Sequence, residues 1–162
     1  MPTTRKRFMQ ILFGGPVALL VGRLGWRPAS AASEVRIKKP AGAWETAEFN
    51  FEKAGRSFPG IVVRLPDTAG QASNIYAACR ICPHEACVFG FESNYQVVGT
   101  IVGVDISNPV FLCRCHLSVF DPARDGKVIS GPAKRPPWQF DVRERGDEIA
   151  VTGIEDGAGD FR

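Results

Sequence analysis

Cys82-Pro83-His84 with Cys87, and Cys113-Arg114-Cys115-His116, are the segments of this chain whose residue types and spacing can do chemistry. They read C-x-H-x2-C and, further on, C-x-C-H, and both of the chain's two histidines fall inside them. Two imidazoles and two thiolates at C-x-H and C-x-x-H spacing can hold a [2Fe–2S] cluster in which two His replace two Cys on one iron, a replacement that raises the reduction potential. In C-x-H the two side chains leave one tight loop two residues apart, so they point the same way and reach neighbouring irons. Cys113 and His116 do the same from a second loop. On this reading Cys82, His84, Cys113 and His116 are the metal ligands, both thiolates on one iron and both imidazoles on the other. The imidazole-bound iron is expected outermost, because imidazole tolerates water better than a sulfide-bridged core does.

Zinc is the competing reading of the cysteines. Cys79-x2-Cys82 and Cys113-x-Cys115 have spacings that zinc ligands use, but that assignment leaves both histidines and Cys87 without roles. Disulfides alone cannot account for the set, since five cysteines cannot all pair. Cys79 reads as a small buried apolar residue.

Loops that carry ligands need a frame, and after Glu34 the chain reads as short strands broken by turns. Val35–Lys38, Trp44–Phe51, Gly60–Leu65 and Asn74–Ala78 are candidate strands before the first cysteine segment. Lys127–Ile129, Trp138–Arg143 and Glu148–Val151 follow the second, with a hairpin turn at Arg145-Gly146-Asp147. Residues 88–112 separate the two segments and either reshape the face beside the cysteine loops or form a surface excursion with no role, the second being expected. Inside them, Val97 to Val104 is strongly β-branched and reads as a strand or hairpin. No long segment outside the first residues keeps a helical period. The expected fold is all-β, packed antiparallel sheets with the cysteine loops at one tip.

C-P-H-E-A-C at 82–87, C-R-C-H-L-S at 113–118 and Gly131-Pro132-Ala133 resemble the Rieske iron–sulfur proteins of quinol-oxidising cytochrome bc and b6f complexes. They also resemble the small subunit of arsenite oxidase. The likeness spans roughly residues 60–150. It implies a base domain plus a small cluster-binding subdomain, with cluster loops at about 79–137. It implies one [2Fe–2S] cluster on Cys82, His84, Cys113 and His116, and a disulfide from Cys87 to Cys115 joining the two ligand loops. In the resembling family the Ser at position 118 gives its O–H to a bridging sulfide and raises the potential. Phe120 stands where bc-type relatives carry a Tyr that bonds a cysteine sulfur, so a lower potential is expected. Pro132 lies in the loop that covers the third side of the cluster, where proline's fixed φ makes a stiff wall. Leu117, in place of the usual Gly, and Phe120 point towards the arsenite-oxidase type, whereas Gly131-Pro132-Ala133-Lys134-Arg135-Pro136-Pro137 points towards the bc type.

The resemblance implies one-electron transfer, from a quinol to a cytochrome c-type heme, as the iron–sulfur subunit beside a cytochrome b-type partner. The alternative within the family is relay from a large molybdopterin subunit. An exported zinc-binding module is the reading from a different class.

At 162 residues there is room for one domain and a leader. Of the 20 basic residues behind the formal charge of +3, five (Arg5, Lys6, Arg7, Arg23 and Arg27) precede the first acid, Glu34, so the body is near neutral and slightly acidic. No basic helix or aromatic-interleaved basic stretch points to nucleic acid. Arg5-Lys6-Arg7, the uncharged run Phe8 to Gly22 and the small residues Pro28 to Ala32 have the layout of an export signal. Thr4 to Gln10 resembles a twin-arginine signal with Lys at the second Arg position. Residues 1–31 are therefore expected to be an export signal or N-terminal membrane anchor, and 32–162 the cluster domain, on the periplasmic face of a bacterial inner membrane.

Overall fold

The computed structural model describes residues 34–67 and 73–160. The expected leader, 1–31, lies outside the described residues. Ten strands form three antiparallel sheets. β1 (Val35–Lys38), β9 (Phe140–Arg145) and β10 (Glu148–Ile154) make the first, in the order β1-β10-β9. β2 (Thr46–Lys53), β3 (Arg56–Arg64) and β4 (Ile75–Cys79) make the second, and β5 (Gly90–Glu92), β6 (Val110–Cys113), β7 (Ser118–Asp121) and β8 (Lys127–Ser130) the third, each in sequence order. Among the described residues no helix is long and apolar enough to cross a membrane.

The second sheet is the middle layer, and its sequence shows why. Strand residues alternate faces, and in β3 both faces are buried. Val62 packs with Phe49, Phe51, Trp138 and Ile149 against the first sheet. Its neighbours Ile61 and Val63 pack with Phe89, Phe111 and Phe120 against the third. β4 repeats the division: Ala77 and Cys79 face the first core, Tyr76 and Ala78 the second. Ala54 and Gly55 join β2 to β3 with positive φ at both residues, 53° and 75°, the conformation of a tight two-residue hairpin. Pro59 lies inside β3, which begins at Arg56 rather than at the expected Gly60. Its carbonyl accepts from Arg80 N–H, so its N-side faces that way too and the β2 ladder loses no bond.

The segment 88–112 departs from expectation. It supplies β5 and β6, two strands of the third sheet, rather than a surface excursion alone. Most of Val97–Val104, read as strand or hairpin, belongs instead to an α-helix, α1 (Tyr95–Val102). Local signals outweigh β-branching there. Asn94 Oδ1 caps the first turn by accepting from Val97 N–H, and Gly103 ends the helix in the left-handed region. Val98 and Val102, four apart, then reach one apolar cluster with Val110, Leu112 and Val119 on the outer face of the third sheet. β6 has no polar alternation because its two faces are both covered, Phe111 by the middle sheet and Leu112 by α1.

Candidate metal centre

Two loops of the third layer carry the cysteine and histidine segments. The first is a hairpin: Phe89 N–H donates to Arg80 C=O, and Cys82 N–H to Cys87 C=O. Arg80 anchors its base, with Nε donating to Phe89 C=O at 2.9 Å and the guanidinium 2.5 Å from Glu48 on β2. The second is the turn between β6 and β7, with Cys113 paired to Ser118. Each loop contains one non-glycine residue in the left-handed region, Ala86 (φ 54°) and Leu117 (φ 57°), two positions and one position after a histidine.

The structure brings the two loops together. Cys87 and Cys115 are bonded, S–S 2.07 Å, across a sequence separation of 28. Cys82 and Cys113 are each only 1 % exposed. Their thiols lie side by side, within hydrogen-bonding reach. Burial, before all else, pushes the Cys82 thiol up, Cys113 beside it adds to the rise, and the His84 backbone N–H opposes it. The imidazoles of His84 and His116 are also neighbours, ring centroids 4.9 Å apart and nearly perpendicular. They sit further out, their side chains 26 % and 48 % exposed.

A third segment leans on these loops. Gly131 (φ 87°) lies so close to the second loop that a Cβ there would come within 2.5 Å of Ser118 Cα. That contact admits only glycine, and it brings Pro132, half-buried, and Ala133 over the loop. Ser118 is fully buried, and its Oγ accepts from Ala133 N–H at 3.2 Å. Its own proton remains available to a further acceptor. Phe120 is fully buried, its ring 5.4 Å from Phe89, in the core that includes Cys82 and Cys113.

The zinc assignment loses half of its donors. Cys115 is consumed in the disulfide, and Cys79 lies in the opposite core with Trp138. Cys79 is wholly buried, and burial raises its thiol pKa.

Two residues at the site fall outside the expected site residues, Arg80 beyond the motifs and Glu85 within C-P-H-E-A-C. Arg80 sits between the sheets as a polar clamp. Glu85 places one carboxylate oxygen 3.8 Å from His84 Nε2 and the other 3.7 Å from His116 Nδ1. The acid beside His84 was visible in the chain, but its proximity to His116 depends on the meeting of two loops.

A family model described as the Rieske [2Fe-2S] domain matches residues 26–151. Among solved structures, the cyanobacterial plasma membrane Rieske protein PetC3 from Synechocystis PCC 6803 is 25 % identical, with 64 % of this chain and 84 % of that one covered and a TM-score of 0.43. The soluble domain of the Rieske protein II (soxF) from Sulfolobus acidocaldarius is 18 % identical, with 74 % and 78 % covered and a TM-score of 0.46.

Proposed function

The chain belongs to the Rieske [2Fe-2S] domain family, and from that membership we propose that it is the iron–sulfur subunit of a respiratory quinol-oxidising cytochrome bc-type complex. The [2Fe–2S] cluster of the family supplies reversible one-electron uptake at a potential raised by its histidine ligands. The donor set here fits that group. Two adjacent buried thiols can serve one iron, and two adjacent imidazoles, further out, can serve the other. Cys82 and Cys113 would hold the inner position, and His84 and His116 the outer one.

The single observation that carries the reading is this gradient of exposure: cysteines sealed from water, imidazoles reaching the surface from the same two loops. It leaves an imidazole edge where a quinol hydroxyl can donate its hydrogen bond and leave its proton on a ring nitrogen. The Cys87–Cys115 bond keeps the loops closed and water away from the thiols. Ser118 offers a buried O–H, and Pro132 stiffens the third wall. A cytochrome c-type heme would be the acceptor.

The disulfide also supports placement of the folded domain on the oxidising, periplasmic side of an inner membrane. Residues 1–31 would then act as twin-arginine export signal or anchor. A second reading, relay from a molybdopterin subunit, draws on Leu117 and Phe120, which depart from the bc type.

Two experiments test this. Low-temperature electron paramagnetic resonance of the dithionite-reduced protein, with iron and acid-labile sulfide analysis, should give a signal from two irons with mixed nitrogen and sulfur ligation. Loss of that signal in Cys82→Ser, His84→Ala, Cys113→Ser and His116→Ala assigns the ligands. Purification of the tagged full chain from its own membranes should bring down b-type heme; molybdenum in its place would overturn the quinol reading.

A further inference from the structure

We propose that Glu85 sets the potential of this site, its carboxylate holding the midpoint below that of a neutral edge. The inference rests on the reading of His84 and His116 as ligands. Glu85 follows His84 directly, so its place in the first loop is local. Its approach to the second loop is not: the Cys87–Cys115 bond draws His116 to the same carboxylate. One oxygen faces each ring, at 3.8 and 3.7 Å. These gaps exceed hydrogen-bond length, so Glu85 acts on the site through its own negative charge rather than through a hydrogen bond.

Among the described residues no lysine or arginine pairs with Glu85, whereas the neighbouring acid Glu92 is matched by Arg114. Glu85 is thus the uncompensated anion at the imidazole edge. An electron arriving at the site adds negative charge close to a fixed negative charge, and like charges disfavour the charged product. The reduced state is therefore the one that Glu85 penalises. Its side chain is 61 % exposed, so water and salt weaken the effect without abolishing it at low ionic strength.

The test is a redox titration of the full-length, cluster-loaded protein at low ionic strength. Glu85→Gln should shift the midpoint upwards and Glu85→Lys further upwards. Glu148→Gln, on β10 in the first sheet, should leave it unchanged. The differences should shrink as salt is added. A midpoint reports only the loaded fraction, so a variant that binds less cluster still reads cleanly. Parent midpoints in both Glu85 variants, in protein carrying iron and sulfide, overturn this inference and leave the electron-transfer reading intact. A parent chain that takes up no iron and sulfide overturns both.

Discussion

Replacing both Cys87 and Cys115 by serine should loosen the cluster end of the molecule by an amount that can be worked out from the chain. The bond closes a loop with a sequence separation of 28. Loop-closure entropy for ~28 residues is about 12 cal/mol/K, or roughly 3.6 kcal/mol at 25 °C. The loop contains β5, α1 and β6, so the released freedom lies in the layer that carries both cysteine–histidine loops. With a urea dependence of about 1–3 kcal/mol per molar for a domain of this size, the midpoint should fall by between about 1 and 4 M. The assay is urea bleaching of the visible cluster absorption, measured beside far-ultraviolet circular dichroism. Cluster binding contributes to both proteins and cancels in their difference. Coincident bleaching midpoints for the oxidised parent and the double variant would refute the claim that this bond holds the two loops together.

Ser118→Ala should lower the midpoint potential, because the variant removes a buried O–H whose proton is free of Ala133; Phe120→Tyr should raise it, and unchanged values in both would remove the hydrogen-bond account. Ala86→Gly and Leu117→Gly should each stabilise the domain by ~0.5–1 kcal/mol in denaturant titration, since relief of left-handed strain outweighs the added freedom of the unfolded chain. Cys79 should resist iodoacetamide at pH 8 in the folded protein and react on unfolding, because burial raises its thiol pKa. The same shift has a stability consequence. The protonated thiol's contribution is complete below the unfolded pKa of about 8.5 and declines as pH rises above it. Asn94→Ala should cost about 1 kcal/mol by removing the cap on α1, read as a lower thermal midpoint.

Where local pattern and tertiary packing agreed, strands were legible. β1 matches its expected bounds, and β2 and β9 lie within two residues of theirs, because one face of each is more buried than the other; β10 starts where expected, although Ile149, Ala150 and Val151 are buried in succession. The third sheet was largely hidden. β6 is buried on both faces and so shows no alternation, while β7 begins within the C-R-C-H-L-S motif and did not read as a strand. α1 was missed because four of its eight residues are β-branched valine or isoleucine and a fifth is threonine, a composition that favours strands when taken alone. Its cap, its terminal glycine and a sheet face awaiting cover decided otherwise.

The chain by itself determined the chemistry available: two short segments holding all the histidine, separated so that two loops must converge. That information is local, a matter of residue type and spacing. Only the tertiary structure decided which groups meet. Stacking of the third sheet on the middle one sealed Cys82 and Cys113, left His84 and His116 at the rim, and put Cys79 in another core. It also set Glu85 against both imidazoles. Distances between loops 28 residues apart follow from packing over the whole domain, which no short window of sequence contains.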